Sequence, residues 1–145
     1  NAKVNGKIPI EDFNKIKANS IHNVDSDILT LGKYEPTIKP DGTLDWSKAG
    51  TNSYNKVAGN TTYFDMGSDW DKVQKKYNLS NDEMFEMFNK PVLDEAAKKN
   101  KIIRFSHDPR NYDKNTAISK EWEYIKNEYG YKKLKKVGEF WIGTK

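Results

Sequence analysis

The segment KIIRFSHDPR, residues 101–110, constrains the fold of this chain more than any other. Its apolar residues Ile102, Ile103 and Phe105 predict a short strand, which ends at the turn signal Asp108-Pro109. Amphipathic helical patterns lie on both sides of the segment. A strand between helices, in a chain of 145 residues, is typical of one α+β domain.

The other periodic segments predict the same fold class, a small antiparallel or mixed β-sheet packed with helices. Capping signals place three helix boundaries: a candidate N-cap at Ser68, a capping box formed by Ser80 and Glu83, and a break at Pro91. Gly130 is expected to close the last helix. The remaining predicted elements are strands at 28–31, 61–66, 131–137 and 139–142, a short helix starting near Pro9, and a helix carrying Ile118, Trp122, Ile125 and Tyr129.

Two segments are expected along the chain. Residues 1–24 are interpreted as a linker with a short N-terminal helix, of which 1–7 are frayed, and residues 25–145 as a single α+β domain. Residues 36–50 are interpreted as a long polar loop that Trp46 anchors to the body of the domain.

Composition narrows the possible chemistry. The chain has no Cys, which excludes thiolate catalysis, and its two His argue against a zinc site of the His/Cys type. No apolar run approaches the roughly 20 residues of a membrane span. Residues 101–145 contain 11 Lys and Arg against 6 Asp and Glu, whereas the first 100 residues contain 14 against 15. This basic segment suits a polyanion such as nucleic acid, and it is equally compatible with an ordinary solvated surface.

His107 is the candidate catalytic residue because histidine can donate or accept a proton near neutral pH. Cleavage of RNA without a metal requires a base, an acid and cations for the phosphate charge. The residues predicted for these tasks are His107, with Arg104, Lys33 and Lys56 as cations and Arg110 as a substitute, and with Tyr34, Tyr54 and Trp122 as surfaces on which bases stack.

A structural interpretation of each residue stays open beside the catalytic one. His107 is equally explained as a turn residue whose tautomer is fixed by Asp108. Arg104 also fits an ion-pair role, and Asp65 is either a structural carboxylate or the residue that orients His107. His22 is expected in an exposed loop.

The order of several short motifs resembles the C-terminal toxin domains of bacterial polymorphic toxins, including contact-dependent growth inhibition proteins of the CdiA type. The motifs are LGKY (31–34), SYNKVAGNTTYFDMG (53–67), DEMF (82–85), IIRFSHDP (102–109), KEWEYIK (120–126) and a closing FWIG. The resemblance covers residues 25–143. It implies a fold like that of barnase, EndoU, colicin nucleases and RelE. It also adds Asn55 and Ser106 to the candidate site, beside His107, Arg104, Lys33 and Lys56.

From residues and resemblance together we expect an antibacterial, metal-independent endoribonuclease that needs no cofactor. Its expected partners are RNA, tRNA first, a cognate immunity protein, and a host activator such as elongation factor Tu. The resemblance implies secretion as part of a large carrier protein and action in the cytoplasm of the target cell. Two alternatives stay open, a metal-dependent DNase toxin and a non-catalytic basic binding module.

Overall fold

The computed structural model describes residues 3–67 and 69–145, so the predicted N-cap Ser68 lies outside the described residues. The fold class is α+β, as predicted. The helices are α1 (Ile10–Ser20), α2 (Tyr54–Val57), α3 (Asp69–Lys76), α4 (Asn81–Met84), α5 (Lys90–Lys98) and α6 (Ala117–Tyr129), with a π-helical turn at Phe85–Asn89 and a 3₁₀ turn at Pro109–Asn111. The strands are β1 (Lys3–Val4), β2 (Ile8–Pro9), β3 (Ile21–His22), β4 (Ile28–Leu31), β5 (Pro36–Ile38), β6 (Leu44–Ala49), β7 (Tyr63–Phe64), β8 (Ile102–Phe105), β9 (Lys133–Val137) and β10 (Phe140–Thr144).

The main sheet is mixed and has the strand order β4-β8-β10-β9. The apolar strands β4 and β8 run parallel, and Leu31 pairs with Phe105 at their carboxyl ends. Strands β9 and β10 form an antiparallel hairpin that turns at Gly138, whose φ is 62°. Because β4 and β8 end in register, the residues that follow them are brought to one edge of the sheet.

Helices α5 and α6 cover the sheet and form the core with it. Leu29, Ile103 and Phe105 of the sheet are buried, as are Ile118 and Ile125 of α6. Each such side chain contributes roughly 1.5–3 kcal/mol on burial. The helical period predicted for residues 118–129 is confirmed, and Gly130 ends α6 in the left-handed conformation with φ 75°.

The helix that begins with the capping box continues past Pro91. Ser80 Oγ accepts a hydrogen bond from the Glu83 N–H, and the Glu83 carboxylate accepts one from the Ser80 N–H, as predicted. Proline lacks the N–H that an α-helix needs at its position, and a break was therefore expected. Instead the turn Phe85–Asn89 is π-helical and leads directly into α5, so the predicted break at Pro91 is wrong.

Two segments expected to be irregular contain strands. Residues 36–50 are not a long loop but a hairpin of β5 and β6, whose turn carries the Gly42 N–H to Lys39 C=O hydrogen bond. Trp46 is 63% exposed and does not anchor it. Where a frayed start was expected, β1 and β2 pair, and Ile8 is fully buried in the core. In the described part of the chain, no helix has the length and apolarity that crossing a membrane requires.

Candidate functional site

The segment that follows β4, residues 32–35, forms one wall of the candidate site and is held by backbone hydrogen bonds. Lys33 C=O accepts from the Tyr54 N–H at 3.0 Å, and Glu35 C=O accepts from the Gly50 N–H at 2.7 Å. The Glu35 N–H donates to Oγ of Ser53, a fully buried residue. These bonds fix the points from which the Lys33 and Glu35 side chains leave the backbone.

His107 follows β8 and contacts this wall through both ring nitrogens. Nδ1 accepts a hydrogen bond from the Lys33 N–H at 3.3 Å and lies 2.7 Å from Ser106 Oγ. Nε2 lies 2.8 Å from Glu35 Oε2. An amide N–H can only donate, so Nδ1 is the acceptor and the neutral ring carries its hydrogen on Nε2, where it donates to Glu35. The His107 side chain is 16% exposed and that of Glu35 is 44% exposed.

Glu35 is the functional candidate that sequence reasoning missed. It lies 72 residues from His107 in the chain, beyond the end of β4. Only the parallel pairing of β4 with β8 brings the two side chains together, and parallel pairing over such a separation leaves no local pattern in a sequence. The one available signal was the order of a buried strand that ends at Leu31 and a carboxylate four residues later. His107 and Glu35 together form a donor and an acceptor in direct contact, the arrangement that proton transfer requires.

Ser106 is held close to the end of β4. Its N–H donates to Leu31 C=O at 2.7 Å. A Cβ built on Gly32 would overlap Ser106 Oγ and come within 2.8 Å of Tyr54 Cβ, so this approach requires glycine. The Ser106 hydroxyl can reverse its donor role and accept from Nδ1–H when the ring is protonated. Ser106 therefore positions His107 in both charge states of the ring.

Lys33 and Tyr112 continue the site on the other side of the ring. The Tyr112 ring meets the His107 ring edge-on, with centroids 6.2 Å apart. Lys33 Nζ lies 5.3 Å from the centroid of the same Tyr112 ring. The Lys33 ammonium group and the His107 ring thus contact the same tyrosine, and the predicted role of Lys33 as a cation for phosphate stays a prediction.

A basic groove adjoins Tyr112. It has a volume of about 620 Å³, and Tyr112 is one of its lining residues. Its cations are Arg110, Lys114, Lys126, Lys132 and Lys133, against the single acid Glu123. Arg110 pairs with Asp108 and Lys126 with Glu123. Within the described residues, Lys114, Lys132 and Lys133 have no carboxylate partner, so the groove carries net positive charge.

The structure does not bring Arg104 to His107. Its Nε donates to Thr30 Oγ1 at 2.8 Å, its Nη2 approaches Ala58 C=O at 3.4 Å, and its guanidinium carbon stacks 3.7 Å from the Phe140 ring centroid. Burial lowers the pKa of this guanidinium. Arg104 is thus a structural cation on the sheet rather than a phosphate ligand beside His107. The expected ion pair is replaced by a hydroxyl, a carbonyl and an aromatic face.

The predicted stacking residue Trp122 is part of the core. It is 4% exposed, and its ring meets Phe105 edge-on with centroids 6.0 Å apart. A base cannot stack on a ring that the core already covers, so this prediction is wrong. Lys56 is exposed on α2, and we find no hydrogen bond or ion pair of its side chain among residues 3–67 and 69–145. Its predicted role stays a prediction.

Three further candidates lie along the wall formed by α2 and β7. The Tyr54 hydroxyl donates to Phe64 C=O at 2.5 Å, and burial raises the pKa of this phenol well above its ordinary value. Asn55 donates to Asp65 Oδ2 at 2.9 Å. Asp65 also accepts from the Gly67 N–H at 2.8 Å, so it is a structural carboxylate and Glu35 contacts His107 instead.

Asp108 does not fix the His107 tautomer. Its carboxylate accepts from the Arg110 N–H at 3.0 Å and forms a two-bond ion pair with the Arg110 guanidinium. The pKa of Asp108 is lowered chiefly by these hydrogen bonds from Arg110. His22 belongs to β3, rather than to a loop, and stacks on Tyr63 with centroids 4.6 Å apart. In the described part of the chain, no hydrogen bond or ring contact joins it to His107.

Comparison with protein-family models, characterised proteins and solved structures found no match. The likeness to a barnase-type fold therefore stays a prediction. In the part of the chain that the structure describes, there is no group of three or more His, Cys, Asp or Glu side chains able to hold a metal ion.

Proposed function

We propose that the chain is a metal-independent endoribonuclease in which Glu35 and His107 are the catalytic pair. The observation that carries the proposal is the 2.8 Å contact between His107 Nε2 and Glu35 Oε2, with Lys33 beside it. A carboxylate that accepts and an imidazole that donates are the two groups that transesterification of RNA requires. The pair is half-open to solvent on the Glu35 side, where a ribose can approach.

In the proposed reaction Glu35 removes the proton from a ribose 2′-OH, and the oxygen attacks the adjacent phosphorus. Protonated His107 donates its Nε2 proton to the departing 5′-oxygen. The products are a 2′,3′-cyclic phosphate and a free 5′-OH. The proton balance leaves Glu35 protonated and His107 neutral with its remaining hydrogen on Nδ1, and return of the Glu35 proton to Nε2 restores the starting charges. Lys33 offsets the charge that develops on the phosphate oxygens. The Ser106 hydroxyl accepts from Nδ1–H while the ring is charged.

The basic groove extends the site for a longer polyanion. Tyr112 lines the groove and contacts both His107 and Lys33. Along it, Lys114, Lys132 and Lys133 have no carboxylate partner among the described residues. Arg110 is the lining cation closest to His107 in sequence. A strand of RNA held there by its phosphates passes the catalytic pair, since phosphate contacts position a nucleic acid without reading its sequence.

The biological setting is part of the same proposal and rests on the resemblance to CdiA-type toxin domains. The domain is released from a large secreted carrier and cleaves tRNA in the cytoplasm of a target cell. A cognate immunity protein blocks it, and a host protein such as elongation factor Tu is the proposed activator. The basic charge of residues 101–145 supports an RNA substrate.

The test is cleavage of total bacterial RNA and of plasmid DNA, in EDTA and in magnesium, with and without cytosolic extract. We expect RNA fragments in EDTA that end in cyclic phosphates. His107→Ala and Glu35→Gln should each lower the rate by about 10²–10⁴-fold, whereas Ser106→Ala should lower it far less. His22→Gln is the matched control, because it changes the other histidine of the chain.

Three results contradict the proposal. Full activity of a folded His107→Ala variant removes its catalytic role. Plasmid cleavage only in magnesium favours a DNase, and protection of RNA without cleavage favours a binding module. Fragments that appear only with extract support the host-activator part of the proposal.

A further inference from the structure

A second cavity lies on the other side of residues 31–34 and has not been used so far. Its volume is about 760 Å³, enough for a nucleotide. Tyr34, Trp46, Tyr54 and Trp70 contribute aromatic surface to it. Tyr34 and Trp46 stack on each other with centroids 6.2 Å apart, and Trp46 is 63% exposed, so the hairpin β5–β6 forms the open rim.

The floor of this cavity is polar and buried. Glu121 of α6 is 7% exposed and Asn89 is 6% exposed, and both line the cavity. Asn89 Oδ1 is buried without a hydrogen-bond partner among the described residues. Burying such an acceptor unpaired is unfavourable, and a bound donor would recover that free energy.

Asn89 is presented by an irregular backbone. It is the last residue of the π-helical turn Phe85–Asn89, which interrupts an otherwise continuous helix from α4 to α5. Single π turns of this kind occur frequently at functional sites. The core residues Phe85, Met87 and Phe88 on the same turn are buried, so the turn directs an apolar face to the core and leaves Asn89 at the cavity.

The charge of the cavity limits what can enter it. Among the residues that the structure describes, its carboxyl groups are Glu121, Asp65 and Asp71, and its only cationic residue is Lys33, whose Nζ lies at Tyr112 on the His107 side. A phosphate is therefore repelled from the floor and attracted to Lys33. The group that fits the floor is flat enough to stack on aromatic rings and rich in hydrogen-bond donors.

We propose that this cavity binds the guanine base of the RNA substrate, with the Watson–Crick edge against Glu121 and Asn89 and the attached phosphate toward Lys33. Guanine is the common base whose single edge offers two adjacent donors, N1–H and N2–H₂, next to one acceptor, O6. Uracil offers one donor between two acceptors, and adenine and cytosine each offer one donor group on that edge. Single-stranded bases are read in this way, by stacking and by their edges. The inference rests on the proposed ribonuclease function and names its substrate preference.

The protonation of Glu121 agrees with this assignment. Burial raises the pKa of Glu121 to about 8, and the Asn89 side chain partly offsets the increase. A neutral carboxyl has one O–H donor for O6 and one carbonyl acceptor for N1–H, which leaves N2–H₂ for Asn89 Oδ1. All three hydrogen-bonding groups of the edge are then satisfied, together with the unpaired oxygen of Asn89.

The test is titration of the whole chain with GMP, AMP, UMP and CMP. Binding is monitored by the fluorescence of the cavity tryptophans, Trp46 and Trp70. We expect GMP to bind at least about 10-fold more tightly than the other three. Glu121→Ala should weaken GMP binding roughly 10- to 100-fold, as expected for two lost hydrogen bonds. Glu121→Gln keeps a donor and an acceptor and should bind GMP within a few-fold of the wild-type protein. Glu128→Gln, an exposed change on the same helix, is the control.

Equal binding of the four nucleotides, or no binding of any, overturns the inference. Unchanged GMP affinity in a folded Glu121→Ala variant overturns it as well. The outcome is independent of catalysis. Selective GMP binding without RNA cleavage supports the base site and refutes the ribonuclease. Cleavage at all four bases without selective binding supports the ribonuclease and refutes the base site.

Discussion

Glu121→Gln is expected to stabilise the protein at neutral pH, because the wild-type chain buries an ionisable carboxyl that has no ion-pair partner among residues 3–67 and 69–145. Glu121 is 7% exposed on α6, and burial raises its pKa from 4.5 to about 8. The folded state therefore keeps the proton up to about pH 8, while the unfolded chain releases it near pH 4.5. Between these values the unfolded state binds fewer protons, so the free energy of unfolding falls as pH rises.

The size of the effect follows from the same two values. Each pH unit inside this window costs the folded state about 1.4 kcal/mol. At pH 7 the ionisation of Glu121 in the unfolded chain therefore removes about 3 kcal/mol of stability. Glutamine has the same shape as a neutral glutamic acid and also offers a donor and an acceptor, but it does not ionise. The free energy of unfolding of the variant therefore does not fall with pH through this group.

The assay is urea unfolding of the wild-type protein and of Glu121→Gln at pH 5, 6, 7 and 8. We expect the stability difference to be small at pH 5, to reach about 3 kcal/mol at pH 7, and to level off above pH 8. Effects of other ionisable groups cancel in the difference. Glu128→Gln should give a curve parallel to the wild type. A difference that does not change with pH would show that Glu121 is ionised in the folded state, and the reasoning would be refuted.

Two further predictions concern the scaffold. Gly32→Ala should lower the free energy of unfolding by about 1–3 kcal/mol through overpacking, since the added Cβ meets Ser106 Oγ and Tyr54 Cβ; a change below about 0.5 kcal/mol in urea unfolding would show that Ser106 moves away freely. Ser80→Ala should cost about 1 kcal/mol by removing the N-cap of α4, and thermal unfolding with an unchanged midpoint would show that the capping box does not stabilise the folded state.

The sequence predicted best those elements whose signals are local. Strands β4 and β8 follow from compact apolar runs, and α6 follows from its 3.6-residue period and the left-handed Gly130 that ends it. The capping box at Ser80 is likewise a contact between residues three apart. Each of these features depends on neighbours within one or two turns, so the residue pattern alone is sufficient.

The predictions that failed depend on distant parts of the chain. Residues 36–50 are polar and show no hydrophobic alternation, yet β5 and β6 within them pair as a hairpin. Trp46 in this hairpin is exposed. Trp122 was a candidate for stacking because aromatic type does not reveal burial, and the structure places it against Phe105. The predicted break at Pro91 failed for a local reason instead, since the π-helical turn Phe85–Asn89 leads directly into α5. Only in the first two cases does a tertiary contact override the local preference.

The parallel register of β4 and β8 explains why the proposed catalytic pair and the second cavity share one segment. Leu31 ends β4 opposite Phe105, so residues 32–35 run between His107 on one side and the cavity on the other. The backbone N–H of Lys33 holds the His107 ring, while Lys33 also lines the cavity. In the proposed complex, a base in the cavity places its phosphate toward Lys33, the residue whose backbone N–H contacts His107. The proposed base preference and the proposed cleavage site thus depend on one short segment. A change in the backbone position of Lys33 would alter both.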